Sequence, residues 1–308
     1  MSRKRLIGLI AIGVLLVAAV AVVLIPQDDE DLGGDAVAVI HLSGPIQETR
    51  SAGLLATGAI SPDLVRDRLE RAIDAGVAAV VVRVASPGGS VAASQEIAGM
   101  FADAEVPIVV SMGDVAASGG YYIAAAADHI VAQPGTLTGS IGVIWALVDP
   151  SELLERLGVE LEVITAGELK DLTVPGRLTP EGQEVIQTLV DEFYDQFVNA
   201  VAEGRELSRD EVLDLATGEL FAGTQALEHG LVDELGGLDT AIAAAERLAG
   251  IGDAEIVEFE PSFFDLLFGP GFRAEGGSGG LLGGSAGPYT EVELLRALLE
   301  GWFLIPRY

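Results

Sequence analysis

Short runs of β-branched and apolar residues alternate with amphipathic stretches along most of this chain, and this alternation limits its fold more than any other feature. The runs that predict strands are Ala36–Leu42, Val77–Val84, Pro107–Met112, His129–Ala132 and Leu161–Ile164. The stretches that predict helices are Pro62–Gly76, Ser90–Ala104, Ser118–Ala127, Pro180–Glu203, Arg209–Leu215, Thr224–His229 and Leu238–Leu248. Because strands that alternate with helices pair in parallel, we predict an α/β fold of βαβ-type units. We expect one globular domain over residues 36–250.

A long uncharged run precedes this domain. Leu6–Ile25 carries no charge, and twenty helical residues that each rise about 1.5 Å cover about 30 Å, the thickness of a bilayer core. Arg3-Lys4-Arg5 precedes the run and Asp28–Asp31 follows it. Residues 1–26 are therefore predicted to form a single transmembrane anchor in the cell membrane, with a cytoplasmic N-terminus and the domain outside. A cleavable signal peptide ending near Ala19-Val20-Ala21 is the alternative.

Two further segments flank the predicted domain. Residues 27–35 form an acidic linker, and residues 251–308 form a C-terminal extension. The extension contains a Gly/Ser-rich tether, Gly276–Gly287. It then has an amphipathic helix, Thr290–Leu304, whose apolar face comprises Val292, Leu295, Leu299 and Phe303. Two roles remain open for this helix: docking to a membrane surface, or packing inside an oligomer.

The chain is strongly acidic. Its formal net charge is -30 and its sequence pI is about 4.1, while half of its residues are hydrophobic. Such a chain is neither a disordered acidic tail nor a nucleic-acid-binding protein. Spread along a core-forming sequence, the acid excess indicates a halophilic archaeon as the source, although an acidic surface also aids solubility in general. Cysteine is absent, which excludes disulfides, thiol nucleophiles and cysteine-ligated metals, and we predict no metal or cofactor.

Lysine is rare in this sequence. Of 17 basic residues only Lys4 and Lys170 are lysines, and Lys4 belongs to the basic flank of the apolar run. Lysine differs from arginine in that it can lose its proton and act as a base, but only in the neutral form, which burial favours. Lys170 follows the predicted strand Leu161–Ile164 and is expected to reach inward. Ser140 is a candidate polar partner, or an ordinary turn serine.

Two glycine-containing turns could carry chemistry. Ser118 lies between a predicted strand and a predicted helix and is followed by Gly119, so it is either a helix N-cap or a nucleophile near free backbone N–H groups. The second turn contains Gly88 and Gly89 after a proline, and it is either a simple turn or part of an oxyanion hole. The three histidines do not favour a Ser-His-Asp triad, because none lies in a glycine-rich loop; they are His41, His129 and His229.

Seven segments in a fixed order together resemble the signal peptide peptidase A (protease IV) family of membrane-anchored serine-lysine peptidases. These segments are Val37–Ile40 with Gly44–Ile46, Ser86–Gly89, Ala117–Tyr122, Thr138–Val143, Lys170-Asp171 with Pro175, Arg177 and Thr179–Glu181, Phe193–Arg205, and Ala226–Asp233. An ordered series of this length is far more specific than any single motif. One position departs from the family pattern: Ala85 stands where Asn or Asp is frequent.

The resemblance implies a Clp protease/crotonase-like spiral of ββα units and a serine peptidase activity. It implies Ser118 as nucleophile, Lys170 as general base and Ser140 as the residue that orients Lys170. Backbone N–H groups of Gly88, Gly89 and Gly119 would form the oxyanion hole. The implied substrates are remnant signal peptides and other apolar membrane-associated peptides, and the implied state is a homo-oligomer.

Two alternatives remain open at this point. The same dyad could be dedicated to a specific membrane-protein substrate such as a stomatin-like partner. Alternatively, the chain could be a crotonase-like acyl-CoA enzyme or a non-catalytic crotonase-like scaffold.

Overall fold

The computed structural model describes residues 34–49, 58–174, 176 and 178–259. The strands are β1 (Ala36–Ser43), β2 (Ala79–Ser86), β3 (Ile108–Ala117), β4 (His129–Ala132), β5 (Leu137–Gly139), β6 (Leu220–Ala222), β7 (Glu234–Leu235) and β8 (Glu255–Glu258). The helices are α1 (Pro62–Asp74), α2 (Val91–Ala102), α3 (Gly119–Ala125), α4 (Ser151–Arg156), α5 (Pro180–Gly204), α6 (Arg209–Leu215), α7 (Gly223–Glu228) and α8 (Leu238–Ala249). The predicted anchor, the Gly/Ser-rich tether and the terminal helix lie outside the described residues.

The strands of the described chain form one sheet in the order β6-β5-β3-β2-β1-β8, with β4 paired to β3 and β7. Every pairing is parallel except that of β5 with β6. Helices connect the parallel strands, because a parallel pair requires a crossover of a dozen or more residues. The predicted α/β fold with a parallel sheet is thus confirmed. Within the described ranges, no helix combines the length and apolar character needed to cross a bilayer.

Both faces of the sheet are covered by other parts of the chain. The sequences of the central strands are therefore continuous apolar runs and do not alternate between apolar and polar residues. On β1, Ala38 and Ile40 pack into a large core that includes residues of α1, α2 and α3. Val37 and Val39 point to the other face, where they meet a smaller core built with Ala241 and other alanines of α8. Small alanine side chains let α8 lie close to the sheet.

The predicted strand at Leu161–Ile164 is wrong. These residues have no regular secondary structure, and Ile164 is exposed. They belong to residues 144–174, which we call the arm, and no residue of the arm is buried. A β-branched run becomes a strand only when a neighbouring strand accepts its backbone hydrogen bonds, and no described strand pairs with this segment.

Candidate active site

Ser118 occupies the sharp turn between β3 and α3 and has an unusual backbone conformation. Its φ is 52° and its ψ is -123°, a region in which a residue with a Cβ is strained by about 1 to 3 kcal/mol. Its side chain makes no capping hydrogen bond to α3. Ser118 therefore occupies the N-cap position of α3, but its half-buried side chain does not act as a cap.

The backbone of Ser118 is held on both sides. Its N–H donates to the Gly139 carbonyl at 2.8 Å. Its own carbonyl accepts from the N–H groups of Tyr121 at 2.9 Å and of Tyr122 at 2.8 Å. These bonds fix the strained turn, as is necessary for such a conformation to persist.

The turn that contains Gly88 and Gly89 lies directly against Ser118. A Cβ atom on Gly88 would lie 2.9 Å from the Cβ of Ser118 and 2.6 Å from the amide nitrogen of Gly119. Gly88 also has a φ of 96°, so its backbone conformation and its surroundings both require glycine. Ile46 holds this turn, since its N–H donates to the Gly88 carbonyl and its carbonyl accepts from Ser90.

Two backbone donors at this junction are free. The Gly88 N–H donates to the buried Ser86 hydroxyl at 3.1 Å. By contrast, the N–H groups of Gly89 and Gly119 have no acceptor among the described residues. The Gly89 nitrogen lies 3.2 Å from where a Cβ of Gly119 would be, so the two free donors are neighbours where the Gly88-Gly89 turn meets the Ser118 turn.

Ser140 is tied to the same region through β5. It directly follows Gly139, whose carbonyl accepts from Ser118, and it too has a positive φ, of 50°. Its N–H donates to the Glu219 carbonyl at 2.7 Å, which fixes the turn after β5. The structure therefore brings Ser140 close to Ser118, together with the glycines of both turns.

Lys170 is placed differently from the sequence expectation. It lies in a turn of the arm where its N–H donates to the Gly167 carbonyl at 3.2 Å, and its side chain is exposed. The inward orientation expected for Lys170 is wrong for this single chain, because the predicted strand before it is absent and no residue of the arm is buried. Its amine makes no hydrogen bond with Ser118, Ser140 or any other described residue.

The histidines have other surroundings. His129 lies between the carboxylates of Asp233 and Glu234, at 3.9 Å and 3.4 Å. His229 makes an edge contact with the ring of Phe221, and His41 is exposed on β1. None of the three forms a hydrogen bond with Ser118 in the described chain.

Sequence reasoning missed one residue of this site. Ser86 is fully buried and its hydroxyl accepts the Gly88 N–H. A serine directly before Pro-Gly-Gly was the available signal, because serine hydroxyls often accept from an N–H two residues later in a turn.

Comparison with known proteins gives two matching family models. The model of peptidase family S49 matches residues 100–252. The model of the N-terminal domain of NfeD1b matches residues 45–147.

Three curated relatives show how far the similarity extends. Protein MJ0651 of Methanocaldococcus jannaschii, named as a protease, is 34% identical over 94% of this chain and 95% of its own length. The protease slr0021 of Synechocystis is 45% identical over 59% of this chain, and protease 4 of Salmonella typhi is 36% identical over 77%. This chain spans 66% of the Synechocystis protein and 38% of protease 4.

A solved structure shares the fold. A lysine-to-alanine mutant of the 1510-N membrane-bound stomatin-specific protease, in complex with a substrate peptide, aligns with a TM-score of 0.50 and 16% identity. The alignment covers 77% of this chain and 97% of that protein.

Proposed function

The chain belongs to peptidase family S49, which includes protease 4 and signal peptide peptidase A, and we propose that it is a membrane-anchored serine endopeptidase with a Ser118-Lys170 dyad. Its substrates are remnant signal peptides and other apolar membrane-associated peptides. We also assign the sheet and its covering helices to the Clp protease/crotonase-like spiral. The branching of β4 and β7 away from the main strand order supports this assignment.

The observation that carries this proposal is the strained backbone of Ser118 beside two free amides. Ser118 has a φ of 52° and its side chain makes no capping hydrogen bond, and backbone strain of this kind clusters at functional sites. In this proposal the free N–H groups of Gly89 and Gly119 bind the carbonyl oxygen of a bound peptide as it becomes negatively charged. The Gly88 N–H is already bonded to Ser86, so Gly88 shapes the turn and the other two glycines donate.

The proposed reaction proceeds in two stages. The Ser118 Oγ attacks the scissile carbonyl carbon while its proton passes to the Lys170 amine, and the resulting oxyanion accepts from Gly89 and Gly119. Lys170 then gives this proton to the leaving amine, and an acyl-enzyme remains. In the second stage Lys170 takes a proton from water, the hydroxide attacks the ester, and Ser118 regains its proton as the carboxylate product leaves.

The Lys170 amine must be shielded from water to act as a base, and we propose that association into a homo-oligomer shields it. The arm that carries Lys170 leaves three apolar side chains almost fully in solvent: Ile144 at 92%, Val148 at 82% and Ile164 at 92% exposed. Apolar exposure of this extent typically marks an interface. Burial of the arm between subunits would remove water from the lysine amine and favour its neutral form, while Ser140 orients it.

A second candidate keeps the same dyad but gives it one dedicated membrane-protein substrate. The similar fold of a protease described as stomatin-specific favours this candidate. The two candidates share the dyad and its chemistry, so they differ only in substrate selectivity.

Labelling with a serine-reactive fluorophosphonate tests the proposal. Wild-type protein should form one covalent adduct at Ser118, and Ser118→Ala should form none. Ser151→Ala, which removes an exposed hydroxyl bonded to Asp149, is the matched control and should be labelled normally. Absence of an adduct in the assembled wild-type protein would contradict the proposal. Digestion of mixed signal peptides beside stomatin-type tails then separates the two substrate classes.

A further inference from the structure

The short strand β5 contacts β3 on both sides of Ala117. Before it, the hydroxyl of Thr138 donates to the Ala116 carbonyl at 2.7 Å. After it, the Gly139 carbonyl accepts from the Ser118 N–H at 2.8 Å. Two adjacent residues of β5 therefore fix the two peptide groups through which the chain enters the Ser118 turn.

The end of β3 needs such support because it leaves the regular ladder. Val84 pairs with Met112 and Ser86 pairs with Ala116, so two steps along β2 correspond to four along β3. The extra residues form a bulge, and bulges re-aim side chains and leave backbone groups outside the ladder.

Side-chain donors bind three carbonyls of this bulged segment. Thr136 donates to Gly113 at 2.8 Å, Thr138 donates to Ala116, and Arg83 donates to Met112 at 2.7 Å. Of these three hydrogen bonds, only the one from Thr138 binds a carbonyl within two residues of Ser118.

Threonine rather than valine at position 138 indicates that the hydroxyl group itself has a role. Thr138 is fully buried, and valine has almost the same shape without a polar group to desolvate. A buried hydroxyl is costly unless it is bonded. Its bond to Ala116 is the only one that its hydroxyl makes among the described residues, so that bond is what threonine supplies and valine would not.

We propose that Thr138 is a positioning residue for the nucleophile: its hydroxyl locks the Ala116 peptide group and thereby keeps Ser118 in the strained conformation that presents its hydroxyl to the free amides. This inference rests on the proposed role of Ser118. The strain at Ser118 can relax by rotation of the peptide groups on either side of it, and Thr138 opposes this rotation on the side that leads into the turn. Ser140 directly follows the same strand, so one short element supports the backbone of both serines.

The test compares three variants by fluorophosphonate acylation and by peptide turnover. Thr138→Val should lower kcat and the acylation rate by about tenfold or more, with KM nearly unchanged, because small displacements of a reacting group are costly. Thr138→Ser keeps the hydroxyl and should restore most of the rate. Thr136→Val is the matched control: it removes a buried hydroxyl from the residue just before β5, where it donates to the Gly113 carbonyl, farther from Ser118, and accepts from the Gln133 N–H. It should lower the melting temperature but leave kcat close to that of the wild type.

The outcomes separate this inference from the proposed function. If the wild type is labelled at Ser118 and Thr138→Val retains the wild-type kcat, or if Thr136→Val loses as much, Thr138 has only a structural role. If the wild type is not labelled at all, the proposed function fails instead. Should Thr138→Val not fold, as judged by near-ultraviolet circular dichroism, Thr138→Ala takes its place in the comparison.

Discussion

Gly119 packs against the buried hydroxyl of Ser94, so that a Cβ atom on Gly119 would lie 2.5 Å from the Ser94 Oγ and 3.2 Å from the Gly89 nitrogen. Gly119→Ala should therefore affect both stability and catalysis. We expect a loss of about 1 to 3 kcal/mol in the free energy of unfolding, because the new methyl group overpacks the site. We also expect a fall of about 10² to 10³ in kcat, because the methyl group would crowd the Gly89 amide and block one oxyanion donor. Chemical denaturation and peptide cleavage measure the two effects.

The double variant Ser94→Ala/Gly119→Ala separates these effects. Removal of the Ser94 oxygen relieves the closest contact, so part of the lost stability should return. The methyl group would still crowd the Gly89 amide, so the activity should stay low. Recovery of full activity together with stability would show that free access to the Gly89 amide is not needed.

Lys170 can be tested by a change that keeps its charge. Lys170→Arg preserves the positive charge and most of the volume but removes a group able to deprotonate. We expect kcat to fall by about 10² to 10⁴, the range for loss of a general base. Arg156→Lys, on α4 in the same arm, exchanges the same two residue types at an exposed ion pair with Glu152 and should cleave normally. Equal activity of Lys170→Arg and wild type would exclude Lys170 as the base.

Assembly through the arm is a separate prediction. Ile164→Asp places a charge on an almost fully exposed apolar position, and it should weaken subunit association by on the order of 2 kcal/mol if that side chain is central to the interface. Analytical ultracentrifugation should show smaller species, with reduced peptide turnover at the same concentration.

The control for assembly is Leu248→Asp. Leu248 is a half-exposed apolar residue of α8, outside the arm. It should leave both association and turnover unchanged. An Ile164→Asp protein that sediments like the wild type would show that the arm is not the interface.

The long elements of the fold could be predicted from the sequence because they are buried on both sides. The run Val77–Val84 has this pattern and corresponds to β2, shifted by two residues. Strands of two or three residues such as β5 and β7 have too few positions for any periodicity to be visible. The prediction of a strand at Leu161–Ile164 was wrong because β-branched residues occur both in strands and in an exposed arm. Only a partner strand distinguishes the two.

Part of the candidate site could also be predicted from the sequence. Glycine and serine spacing led to Ser118, Ser140 and the Gly88-Gly89 turn, since turns with free N–H groups have a strong residue signature. Which amide remains free depends on where the Ser86 hydroxyl points, and a sequence does not record that direction. The exposed position of Lys170 could not be predicted either, because the expectation that it reaches inward depended on a strand at Leu161–Ile164 that the structure does not contain.

Tyr121 gives the fold a predictable response to alkaline pH. Burial raises the pKa of the Tyr121 hydroxyl above its usual value, with a smaller opposing effect of Arg205 and a supporting effect of Asp233. The folded-state pKa thus lies above the unfolded value of about 10. The associated stability is complete below about pH 10 and is lost as the pH rises from there towards the folded-state pKa. Denaturation at a series of pH values should show this decline.

Tyr121→Phe removes the titrating group, so its stability should decline less between about pH 10 and pH 12. It should also cost about 1 to 3 kcal/mol at neutral pH, because the Leu231 carbonyl loses its donor. Tyr194→Phe, which removes a hydroxyl donating to the Ala216 carbonyl, controls for the loss of such a bond. Identical alkaline profiles for Tyr121→Phe and the wild type would contradict the assignment.

The acidic composition predicts dependence of folding on salt. With 47 acidic residues against 17 basic ones, the folded chain holds like charges close together, and screening by salt reduces their repulsion. Transfer from about 3 M to about 0.1 M potassium chloride lengthens the Debye length to roughly 10 Å and should cause loss of the folded circular dichroism signal. Sucrose at matched osmolality should not restore that signal, because it does not screen charge. Full stability in dilute salt would indicate that the acidic surface serves solubility alone and that the halophilic interpretation of the sequence is wrong.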